Sequence, residues 1–208
     1  MALTVASCGS DDAGDGQLSL LRAEMADVAT DANAMLAYCI TDNGKRVVFS
    51  MPKKAAWAQT PDSLYRAMVW MSGEANTSNA ELLNASYALT LVAQKHDINK
   101  LWQSKCDPIT LTSCWWAADK RHINLELTVL TDNNAKASHV IGLVEDSVRT
   151  SSDGVSSHFC HLCHDRNGIP AYYSTTFYAS IPVEESHRND RYVLTLTTPK
   201  GKTTVTPQ

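Results

Sequence analysis

Hydrophobic positions change their period along this chain. Leu18, Leu21, Met25, Val28, Ala32 and Met35 recur every three or four residues, the spacing of one helix face. Thr30-Asp31 divides that run. Thr60-Pro61 has the form of a helix N-cap followed by a proline at the first helical position. Leu64, Met68 and Met71 would give that helix its face, and Gly73 its stop. Ser78-Asn79-Ala80-Glu81 has the capping-box form. Leu82, Leu83, Leu89, Val92 and Ala93 then carry the best predicted helix to about His96.

Alternation takes over further on. Ile123, Leu125 and Leu127 frame a strand that runs to Leu130, and Ala171–Val183 is rich in Tyr, Thr and Phe. Tyr192–Thr198 alternates, Pro199-Lys200-Gly201-Lys202 is a turn, and Thr203–Thr206 returns as a short strand. Val140–Val148 fits helix or strand. In the first half, Asp42-Asn43-Gly44 is a turn signal between Met35–Ile40 and Arg46–Met51, which suggests a hairpin. The predicted class is therefore α+β, with a helix-rich first half and an antiparallel β-rich second half. The expected regions are 1–75 (α+β) and 76–208 (helix plus β-rich), as two domains or one. A chain of 208 residues is long enough for either.

Composition narrows the function classes. No apolar run approaches the length of a membrane span. The formal net charge of −4 argues against purely electrostatic nucleic-acid binding. The acidity is uneven: residues 1–43 hold seven acids and one base, Arg22, whereas 44–208 hold fifteen acids and seventeen bases. A nucleic-acid contact is expected in the later part. The candidates are Lys45, Arg46, Lys53 and Lys54, with Trp57 as a stacking platform. The alternative is a solvated turn at Lys53-Lys54 and a core role for Trp57. No phosphate loop, nucleophile elbow or His-Glu-x-x-His is present, so an enzyme is the less favoured class.

The densest chemistry is His158-Phe159-Cys160-His161-Leu162-Cys163-His164, seven residues with five metal-ligand side chains. A tight knuckle at Cys160 and Cys163 would point both thiolates at one zinc, completed by two of His158, His164 and His187. Cys160-x-x-Cys163-His164 also has the form of a c-type haem attachment motif. The third reading is a pair of reduced cysteines beside surface histidines. At the N-terminus, Val5-Ala6-Ser7-Cys8-Gly9, followed by Ser10-Asp11-Asp12, resembles a bacterial lipoprotein cleavage box and its polar tether. Only seven residues precede Cys8, so this reading requires a leader upstream of Met1.

Several short segments also resemble viral proteins. They are the predicted helix 78–96, Pro108-Ile109-Thr110 with Cys114, strand 123–130, Cys160-His161-Leu162-Cys163 and Ile181-Pro182. Their order is similar to the small zinc-binding cofactor subunit of coronavirus-type (nidovirus) replicases. Asn33-Ala34-Met35-Leu36-Ala37-Tyr38, Gly44-Lys45-Arg46-Val47-Val48 and Trp57-Ala58 resemble the neighbouring single-strand RNA-binding subunit. Gln208 suits release by a main protease that cuts after Gln. The resemblance implies a non-catalytic accessory subunit of a viral RNA replication complex, in the cytoplasm of an infected host cell. Such a subunit binds zinc, binds single-stranded RNA weakly and docks onto protein partners. Two alternatives are an exported c-type haem or lipid-anchored protein, and a viral structural or assembly protein that packs against copies of itself.

Overall fold

The computed structural model describes residues 20–73, 78–97, 99–132, 134 and 136–208. Among them there is no α-helix. Five strands come first: β1 (Leu21–Thr30), β2 (Met35–Thr41), β3 (Arg46–Lys54), β4 (Leu64–Ser72) and β5 (Asn79–Thr90). β1 pairs antiparallel with β2 and β4, β2 with β3, and β4 with β5. A parallel contact of β3 with β5, at Val48↔Asn79 and Phe49↔Ala80, closes the ring. The order around it, β1-β2-β3-β5-β4 and back to β1, is the connectivity of an OB-type barrel.

Closure covers both faces of β1 and β4. Ala26, Val28, Ala67, Val69 and Met71 point into the barrel core with Leu36, Cys39, Val47, Phe49 and Leu82. Met25 and Met68, on the other face, pack with Ala88, Trp70, Trp115 and Tyr178 against the second half of the molecule. This double burial explains why the apolar runs predicted as helices up to Met35 and over 61–72 form β1 and β4 instead. A strand buried on two sides loses its two-residue alternation, and its apolar residues then fall by chance on helical spacings. Leu64, expected on the same helix face as Met68, is 63% exposed, while Met68 is 7% exposed. The run predicted as helix 78–96 is β5 and a short strand at Ala93–Lys95, and β5 alternates, with Ala80 and Leu82 buried between exposed Asn79, Glu81 and Leu83. The α+β expectation is thus corrected to an all-β fold.

The remaining strands are β6 (Ala93–Lys95), β7 (Thr110–Trp116), β8 (His122–Thr131), β9 (Val140–Thr150), β10 (Ser156–Asp165), β11 (Tyr173–Pro182), β12 (Arg191–Thr198) and β13 (Gly201–Val205). Short 3-10 turns lie at Leu101–Ser104 and Glu185–His187. The end of β5 pairs in parallel with β11, at Tyr178↔Ala88 through Ser180↔Thr90, so the barrel wall continues into β11-β8-β7. A second sheet, β13-β12-β10-β9-β6, lies over it. Between them sit Ile123, Leu125, Leu127 and Val129 of β8, Ile181 of β11, and Leu143, Cys160, Leu162, Leu194 and Leu196 of the second sheet. The alternation read in β8 and β12 is this inward-facing set.

One buried side chain spans the seam between barrel and sandwich. Arg66 of β4 is 6% exposed. Its Nε donates to Ser180 Oγ at 3.0 Å, and Nη2 donates to Asp42 Oδ1 at 2.5 Å and Asn124 Oδ1 at 2.9 Å. Nη1 donates to Asp27 Oδ1 at 3.2 Å. Asn124 Nδ2 completes the ring by donating to Asp42 Oδ2 at 2.6 Å. Two carboxylates and four hydrogen bonds from the guanidinium offset the desolvation cost that an unpaired buried charge would carry.

Candidate functional site

The segment 158–164 is not a knuckle but the middle of β10. It pairs with β9 along its whole length and with β12 from Ser157 to His161. Side chains three apart on a strand point to opposite faces. Cys160 therefore faces the sandwich core and is 2% exposed, while Cys163 points the other way and donates to the Gln103 carbonyl at 3.1 Å. The two thiols do not converge on one ion, or on one haem edge. Burial, reinforced by Glu145 and Asp146, pushes the Cys160 thiol up to about 12. Burial, with Asp146 and Cys106 nearby, raises Cys163 to about 11. Both are neutral thiols at physiological pH.

The histidines divide between two places. His158, on the same face as Cys160, lies parallel to the Tyr192 ring, with centroids 4.7 Å apart and an interplanar angle of 8°. Its Nδ1 is 2.7 Å from Glu145 Oε1 and its Nε2 3.1 Å from Asp190 Oδ2. His187, from the 3-10 turn that precedes β12, places Nδ1 2.8 Å from the same Asp190 oxygen. Its ring stands edge-on to His158 at 5.0 Å. The Ser156 backbone N–H donates to Asp190 Oδ1 at 3.1 Å and fixes the carboxylate. Burial alone would lower the affinity of His158 for its second proton, but the hydrogen bonds to Glu145 and Asp190 outweigh it and raise the pKa. Burial likewise works against the Asp190 anion, and the bonds from His158, His187 and Ser156 prevail, so its pKa is lowered.

His164 lies six residues along β10, roughly 20 Å from His158 at strand rise. Its Nε2 is 2.9 Å from His139 Nδ1, and its Nδ1 is 3.2 Å from the Asp107 carbonyl oxygen. Thus, of the expected ligand set, the fold brings His158 and His187 together and separates both from Cys160, Cys163 and His164. Glu145, Asp190 and Tyr192 escape a sequence reading. Asp190 alone leaves a trace, three residues after His187.

The five expected RNA contacts do not form one patch. Lys45 and Arg46 stand at the start of β3, and Lys53 and Lys54 at its end, about 26 Å away at strand rise. The Arg46 guanidinium lies over Tyr38, 3.9 Å from its centroid. Lys53 Nζ is 3.5 Å from the Leu83 carbonyl oxygen. Trp57 packs against Tyr65 and Tyr87 at 5.8 and 5.9 Å and joins the barrel core, so it is a structural ring and not an open platform.

Over 89% of its length the chain is similar in fold to several bacterial structures. A NigD-like immunity protein from Bacteroides caccae matches with a TM-score of 0.65 and 22% identity, over 89% of this chain and 90% of that one. A protein of unknown function DUF1344 from Bacteroides vulgatus matches with a TM-score of 0.66 and 14% identity, over 89% of both chains. A candidate lipoprotein from Bacteroides fragilis matches with a TM-score of 0.59 and 10% identity, over 89% of this chain and 96% of that one. No family model and no curated protein matches the sequence. These likenesses define the architecture.

They also overturn the replicase reading. The segments that resembled viral zinc- and RNA-binding subunits are strands and turns of an all-β fold shared with bacterial proteins. The role in a viral RNA replication complex that came with that resemblance goes with it, as does the infected-cell cytoplasm. Among the described residues, no helix is long and apolar enough to cross a membrane.

Proposed function

We propose that this chain is a bacterial cell-envelope lipoprotein, anchored through Cys8, whose barrel and sandwich form a binding ectodomain. The observation that carries this reading is the position of Val5-Ala6-Ser7-Cys8. It stands directly ahead of a Gly-, Asp- and Ser-rich stretch, which leads to β1 at Leu21. Such a stretch suits a tether between a lipid-modified cysteine and a folded body. The fold shared with a candidate lipoprotein and an immunity protein of Bacteroides supports the same reading. Binding of a protein partner suits the outward Tyr172 and Tyr173, 72% and 55% exposed, since aromatic residues are enriched at protein interfaces.

The test is detergent phase partition of the protein produced in a bacterial host from its gene with the native upstream region. The wild type is expected in the detergent phase and Cys8→Ser in the aqueous phase. Wild type in the aqueous phase would overturn the anchor.

A further inference from the structure

We propose that His158, His187 and Asp190 bind one divalent first-row transition-metal ion, with Glu145 orienting His158. This site does not depend on the lipid anchor. The ligand-bearing atoms of the three residues all lie within 4.8 Å of one another. The closest approaches, 3.1 Å from His158 Nε2 and 2.8 Å from His187 Nδ1 to Asp190 Oδ2, are close to the separation of neighbouring donors around one ion. Donors at about 2.1 Å from a shared metal stand roughly 3.0–3.4 Å apart.

The surroundings are those of a built site. Glu145 Oε1 accepts from His158 Nδ1 at 2.7 Å, which aims Nε2 at the ion. This is the carboxylate–histidine–metal relay. Tyr192 holds the His158 ring flat on one side, and the Ser156 N–H holds the far oxygen of Asp190. The site has a way in, because the His187 side chain is 41% exposed while those of His158 and Asp190 are 7% and 12% exposed. Three protein donors leave at least one coordination position for water or an incoming ligand. Two imidazoles and one carboxylate select nickel, cobalt, copper or a similar borderline ion over calcium or magnesium, which prefer oxygen donors. When the ion enters, the proton on His158 Nε2 passes to solvent while Nδ1–H stays directed at Glu145, and His187 ligates through Nδ1 with its remaining proton on Nε2.

The experiment is titration of the tag-free full chain, stripped with chelator, with Co2+, followed by visible d–d absorption and calorimetry. One Co2+ per chain is expected. His187→Ala should weaken binding by about 100-fold and Glu145→Gln by about 10-fold, and His139→Ala should leave it unchanged. His187 lies in a surface turn, and the melting temperature of His187→Ala in chelator, measured beside that of the wild type, verifies folding. His187→Gln, which keeps the volume, is a second probe and should fail in the same way. No stoichiometric Co2+ band, or a band kept by both His187 variants, would overturn the site.

Discussion

Arg66 Nη2 of the barrel donates a 2.9 Å hydrogen bond to Asn124 Oδ1 of the sandwich, with both side chains buried. The same guanidinium reaches Asp27, Asp42 and Ser180. Residues far apart in sequence thus share one polar centre, and the two halves are tied there by donors from both sides, Arg66 of the barrel and Asn124 of the sandwich. Arg66→Ala removes the buried cation that offsets the Asp27 and Asp42 carboxylates, while Asn124 and Ser180 keep their mutual hydrogen bond. The expected loss is about 3–5 kcal/mol, and the single melting transition should split into two. Calorimetry of the variant verifies this; one sharp transition within about 1 kcal/mol of wild type would show that the seam does not couple the halves.

Gly142 of β9 lies under the Trp102 ring. A Cβ built there would fall 2.8 Å from Trp102 Cη2 and closer still to Cζ3. The ring belongs to the 3-10 turn Leu101–Ser104 and has to move if the glycine gains a methyl group. Gly142→Ala is expected to cost about 1–3 kcal/mol, with a shift in tryptophan fluorescence. A neutral change in urea unfolding, with no spectral shift, would contradict the packing.

The thiols give a third expectation. Cys106 is exposed, whereas Cys39, Cys160 and Cys163 are buried. Burial pushes Cys39 and Cys160 up to about 12. Since the thiolate is the reactive form, a thiol reagent at neutral pH should label Cys106 quickly and these three only on unfolding. Peptide mass mapping reads the order. Cys160→Ser places a hydroxyl in the apolar core and should cost about 1–3 kcal/mol. The cost should be equal with and without chelator, because Cys160 packs with Leu162 and Leu194 and not around an ion. A cost that vanishes in chelator would restore the knuckle.

How much was legible follows from which strands have an open face. The β2–β3 hairpin was readable from Asp42-Asn43-Gly44, where Gly44 adopts φ +80° and its N–H donates to the Thr41 carbonyl at 2.8 Å. β8, β11 and β12 were readable from alternation and from their β-branched and aromatic residues. β1 and β4 were not, because the barrel closes on one side of them and the seam on the other. At Arg66–Met71 every position except Trp70 is buried, so no alternation survives. β5 does alternate from Asn79 to Leu83, and the capping-box form of Ser78-Asn79-Ala80-Glu81 pointed to a helix there. The candidate site divides in the same way. His158 and His187 stood out as ligand types, but the β9–β10 and β10–β12 pairings that deliver Glu145 and Asp190 are long-range. Local spacing favoured a Cys160–Cys163 turn, and pairing with two neighbouring strands holds the segment extended.

Mass spectrometry of the mature N-terminus tests the lipid anchor on the molecule itself. The protein would be produced in a bacterial host from its gene with the native upstream region, and purified from the membrane fraction. The expected N-terminal peptide begins at Cys8 and carries a diacylglyceryl group on its sulfur. A chain that keeps Met1–Ser7 and has an unmodified Cys8 thiol would contradict it.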